Sequence, residues 1–172
     1  LVRPARGLIA LDIAGARATF HVLQFGENDM RFALLWAVVL AVFLAGDALM
    51  LPAVVVPFFE ARVGDLMLED PRMGAALAFY LLYPAGIVHF AAMPGFKAGA
   101  PMLAARQGAL AGLLAYGTYE ATNLATLKGW EWSMLALDMS WGAAISGTSA
   151  AIAVWAAMRV FGAPARGASA GV

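Results

Sequence analysis

The chain has 172 residues, of which 63% are hydrophobic and 13% charged, with no cysteine and a formal net charge of zero. A soluble domain carries about a quarter charged residues, and one of this length must still cover its surface with polar groups, so the composition excludes a water-soluble globular protein. Zero net charge leaves no electrostatic footprint for nucleic acid. The missing cysteines exclude disulfides and thiol catalysis.

In chain order, residues 1–29 read as a leader. Ile9, Ile13, Ala16, Phe20 and Leu23 share one helical face, which predicts an amphipathic helix on the cytoplasmic membrane surface. The alternative is an extension without a role, with the bundle starting at Met30. The leader lacks the charged start, apolar core and cleavage site of a signal peptide.

Four runs then have the length and apolarity of membrane spans, for which about 20 helical residues suffice. They cover residues 32–51, 74–93, 103–124 and 133–160. The third is the most polar and the fourth is rich in small residues. Residues 30–161 thus form the transmembrane domain, and 162–172 form a flexible tail. FFEARVGDLML, Phe58 to Leu68, reads as a separate short interfacial helix; Gly95, Gly99 and Pro101 read as the turn between spans two and three. The fold class is all-α, an integral membrane four-helix bundle.

Lysine and arginine set its direction. With the N-terminus inside, the cytoplasmic side holds Arg3, Arg6, Arg17, Arg31, Lys97, Arg106, Arg159 and Arg166, against Arg62, Arg72 and Lys128 outside. That bias places both termini in the cytoplasm.

Three acids interrupt the spans: Asp47, Glu120 and Asp138. Each costs roughly 2.5–3.5 kcal/mol at a helix centre on insertion scales, so each should face the bundle and find a partner. Asp47 lies four residues before Leu51, Glu120 four before Leu124, and Asp138 five after Ser133. Given alternating directions, all three fall at similar depth near the outer side. Tyr116, Glu120 and Asn123 share a face of span three, with Tyr119, Thr122 and Thr126 on the adjoining stripe. These residues form the candidate polar cluster. Asp138, Gly142, Ser146 and Ser149 make a narrow seam on span four suited to close helix approach, and Gly46 leaves room beside Asp47.

Two readings compete for the acids. They are hydrogen-bonded packing glue, or a site for a proton, a cation or a lipid headgroup; three acids without a lysine or arginine at that depth are costly if all ionised, so at least one should hold its proton more tightly than usual. His89 reads as an interfacial histidine near Arg106. Pro84 reads as a kink whose freed carbonyl a neighbouring helix bonds. Trp130, Trp132 and Trp141 read as interfacial belt residues. The two histidines, far apart, argue against a metal site, and no cofactor motif is present.

The stretch YGTYEATNLATLKGW, Tyr116 to Trp130, followed by LDMSWG, Leu137 to Gly142, resembles the signature of domain-of-unknown-function family 2177. FLAGDALML and FYLLYPAG match its remaining pattern. The family consists of small bacterial predicted membrane proteins, so the resemblance implies a multi-pass protein of the bacterial inner membrane and brings no activity. It usually has aspartate at the position of Glu120, and it usually begins near Met30. Three functions remain in view. One is a polar site for a cation, proton or lipid headgroup, with membrane lipid as surroundings. Another is a structural or assembly subunit bound to other membrane proteins or to a second copy. The least supported is a lipid-modifying enzyme using Tyr116, Tyr119 and Asn123 for acid–base chemistry.

Overall fold

The computed structural model describes residues 7–164, with side chains described from residue 26 onward. The hydrophobic face assigned to the leader and most of the tail therefore lie outside the described side chains. The chain divides into two units, residues 1–33 and residues 34–172. In the first, the described backbone is helical, and Arg31 pairs with Glu27 one turn earlier at 3.0 Å.

The described residues are helical and contain no strand. Helix α1 covers Gly7–Met50, α2 Val56–Val63, α3 Met73–Ile87, α4 Met93–Lys97, α5 Pro101–Thr126 and α6 Trp132–Phe161. Three helical stretches are long and apolar enough to cross a membrane: Gly26–Leu66, Met73–Lys97 and Trp132–Phe161. The most polar long helix, α5, has 26 residues, about 39 Å at 1.5 Å per residue, and supplies the fourth helix of the bundle.

The sequence expectation of a break after Leu51 and a separate helix over Phe58–Leu68 is corrected. Helical structure runs on through a π turn at Leu51–Val55 into α2 and ends in a 3-10 turn at Gly64–Leu66. Pro52 and Pro57 read as breakers because neither can donate a backbone bond. The wider turn, closed by the Val56 N–H on Leu51 O, carries the chain past Pro52. A second π turn, Val88–Ala92, joins α3 to α4 just after Pro84. The Trp36 indole N–H donates to Leu81 O at 3.1 Å, one residue past Tyr80 O, the carbonyl from which Pro84 removes the helix donor.

Two short turns close the bundle. Gly99 takes φ +60° between α4 and α5, and Gly129 takes φ +84° between α5 and α6, a region that disfavours any residue with a Cβ. The core joins Leu35, Val39 and Phe43 of α1 to Ile87, Val88, Ala91 and Ala92, and to Ala150, Ala153, Val154 and Ala157 of α6.

The closest helix pair is α5 with α6. A Cβ added at Gly112 would run into the Gly142 carbonyl, and one at Gly108 would lie 2.6 Å from Ser146 O. One at Gly142 would strike the Tyr116 ring. Lipid offers no hydrophobic drive between helices, so backbone proximity of this kind, with its dense dispersion contacts, is what holds them. Gly142 and buried Ser146 sit in this seam, and Ser149 donates to Ser146 O at 3.1 Å. Gly46 does the same for α1 against α6, since a Cβ there would lie 2.5 Å from Ile145 Cδ1.

Candidate functional site

Alternating helix directions bring acids from α1, α5 and α6 to one level. Asp47 is 5% exposed and Glu120 fully buried; Asp138 is half-buried.

Each carboxylate of the first pair carries an indole. Asp47 accepts from Trp141 Nε1 at 2.9 Å on one oxygen and from the Tyr80 hydroxyl at 3.0 Å on the other. Gly46 makes this possible, because Trp141 passes 3.3 Å from where its Cβ would be. Glu120 accepts from Trp130 Nε1 at 2.7 Å through Oε2. Its Oε1 is buried with no donor. The Asp138 carboxyl lies within hydrogen-bonding reach of Glu120 and in the field of Asp47. Two carboxylates bring only acceptors when both are ionised.

Tyrosines line the space between the acids. Tyr116 packs on Gly142 and lies in the fields of Asp47 and Asp138. Its ring meets Tyr83 edge-to-face at 6.1 Å, and the Tyr83 hydroxyl shares a 2.9 Å bond with Ser146. Tyr119 is 56% exposed, hydrogen-bonded to Asn123, and edge-to-face with Trp130 at 6.1 Å.

Of the residues picked from the sequence, Asp47, Tyr116, Glu120 and Asp138 converge, with Tyr119 and Asn123 at the margin. Thr122 and Thr126 do not join them. Their exposed hydroxyls donate to Thr118 O and Thr122 O on their own helix, at 2.5 and 2.7 Å. The belt assignment of Trp130 and Trp141 is corrected, since both indoles bond the acids; Trp132 is 75% exposed. An indole suits a membrane interface and a buried acceptor equally well, so composition alone does not separate the two. Sequence reasoning missed Tyr80 and Tyr83, whose three-residue spacing on one face was the available signal. It also missed Gly108 and Gly112, a GxxxG pair that fits the seam on α6.

A lid closes the site from the loop side. Trp130 stacks edge-to-face on Phe59 of α2 at 5.7 Å. Beside it, the Arg62 guanidinium lies 3.6 Å over the Phe58 ring and donates to Glu131 at 2.8 Å. Arg62 and Ser133 hold the exposed Glu131 carboxyl below its ordinary value by hydrogen bonding. Among the described residues no group of three or more acids or histidines is placed to hold a metal ion. His89 is exposed and meets Phe90 edge-to-face at 4.9 Å.

Helices of this length and apolarity around a buried acid cluster define a helical membrane protein. The family model described as "Predicted membrane protein (DUF2177)" matches residues 32–155, and the chain belongs to that family. Comparisons with curated proteins and with solved structures give no match.

Proposed function

We propose that Glu120 and Asp138 form a membrane-embedded cation site of an inner-membrane protein, with a proton as its simplest occupant. The carrying observation is the Glu120 carboxylate, fully buried with Oε1 lacking a donor beside a second acid. An uncompensated buried carboxylate is costly, and a neighbouring acid without a cation makes it worse. Asp47, satisfied by two donors, supplies field and packing. The three acids do not make a divalent-metal cage, which favours a proton or a monovalent cation. Lys97, Arg106 and Arg159 lie towards one end of the bundle and Arg62, Arg72 and Lys128 towards the other. With the arginines of the N-terminal region, this supports both termini in the cytoplasm and the acids near the outer side.

Infrared difference spectroscopy of the reconstituted protein, between acid and alkaline buffer with and without sodium, tests the reading. A protonated-carboxyl band should vanish in Glu120→Gln and shift in Asp138→Asn, with both variants folded. A band unchanged in both overturns it.

A second reading, a subunit of a larger complex, is favoured by a shallow depression of about 370 Å³ on the outer face of α5 and α6. Ala105, Ala109, Ala144, Gly147 and Thr148 line it, and such a surface suits another helix. Native mass analysis after gentle extraction separates the two, since a clean monomer counts against this one.

A further inference from the structure

An open groove of about 960 Å³ runs between α3 and α5. That is at the upper end of ligand-pocket sizes. Its walls are Phe79, Leu82, Gly86 and Phe90 on one side and Leu110 and Leu114 on the other, among other apolar residues. From Ala78 to Phe90 it follows about 18 Å of helix at 1.5 Å per residue, slightly more than half the roughly 30 Å hydrocarbon thickness. One wall is a stretch long and apolar enough to span the membrane, so the groove opens sideways into lipid.

The end near the α4–α5 turn is polar. Gln107 lines the groove there, and its Oε1 is buried without a hydrogen-bond partner. Exposed Arg106 and exposed His89 each directly precede a lining residue, Gln107 and Phe90. The apolar trough thus ends at an amide oxygen without a donor, with Arg106 the next residue back along α5. The π turn at Val88–Ala92, which carries the 68% exposed Phe90, lies at this same end; such turns recur at functional sites.

We propose that this groove seats one acyl chain of an anionic phospholipid, its phosphate on Arg106 and a free headgroup hydroxyl donating to Gln107 Oε1. This goes beyond the carboxylate site and does not depend on it. The acids belong to the outer side, whereas the headgroup here sits at the Arg106 end.

The test is native mass spectrometry of the full chain released from nanodiscs of phosphatidylglycerol or phosphatidylcholine. Wild type should retain one phosphatidylglycerol, at least fivefold more than phosphatidylcholine, with added inorganic phosphate failing to displace it. Arg106→Gln should bring the two lipids to equal retention. Gly86→Leu should lose both, because a Cβ at Gly86 meets nothing within 4 Å and the side chain fills the trough without straining the fold. Equal retention of both lipids by wild type, displacement by phosphate alone, or undiminished retention in Gly86→Leu each overturns the proposal. So does a dimer whose interface Gly86→Leu abolishes.

Discussion

Asp47 and Glu120 are both acids in the apolar interior, yet their surroundings differ. Asp47 has one donor on each oxygen, from Tyr80 and Trp141, which tie α1 to α3 and α6. Glu120 has one donor, Trp130, on a turn, and one bare oxygen beside Asp138. The first arrangement is complete and rigid, as a structural fastener should be. The second leaves Oε1 without a donor among the described residues. Of the two readings that compete for the acids, packing glue fits the fully bonded Asp47 better than Glu120.

The largest expected effect undermines the frame on which both acids stand. Gly112→Leu drives a side chain into the Gly142 carbonyl and should cost at least about 3 kcal/mol, seen as loss of monodisperse protein on size exclusion. Asp47→Ala comes next. It strands the Tyr80 hydroxyl and the Trp141 N–H, a loss of about 1–3 kcal/mol for each buried group left unpaired, read as a lowered Tm. Glu120→Gln should move Tm far less, or raise it, because it removes an uncompensated acceptor; a drop as large as that of Asp47→Ala would erase the contrast. Trp130→Phe keeps the ring contacts with Phe59 and Tyr119 and loses one hydrogen bond, about 1 kcal/mol.

The smallest effect is a pH response at the lid. The folded Glu131 carboxyl is held low by Arg62 and Ser133, so the pairing is complete above the ordinary carboxylate value. It is lost as pH falls through the lowered one. Tryptophan emission should change over that acid window in wild type and stay flat in Glu131→Gln.

Membrane length made the helices legible. A run of about 20 apolar residues fits the hydrocarbon of a bilayer and little else, and the long helices cover all four predicted runs. The continuation through Leu51–Val55 was hidden because prolines at 52 and 57 look like stops, and only the backbone reveals a π turn that accommodates one. The acids were found because charge in a span is expensive. Their donors were not, because Trp and Tyr near a span end already have a simpler role, the interfacial belt. The threonines misled in the other direction. Their helical spacing placed them beside the acids, but a threonine hydroxyl can bond the carbonyl four residues back in its own helix, and Thr122 and Thr126 do.

Trp130 holds the Glu120 carboxylate with its N–H while its ring rests on Phe59, and the preceding residue is the left-handed Gly129. Any species arriving from that direction must first lift an indole off Glu120, which means bending a five-residue connection and not parting helices. Opening at Trp130 should then run at the pace of lid motion, microseconds to seconds, even while the α5–α6 seam stays shut. The turn, and not the bundle, would set the clock.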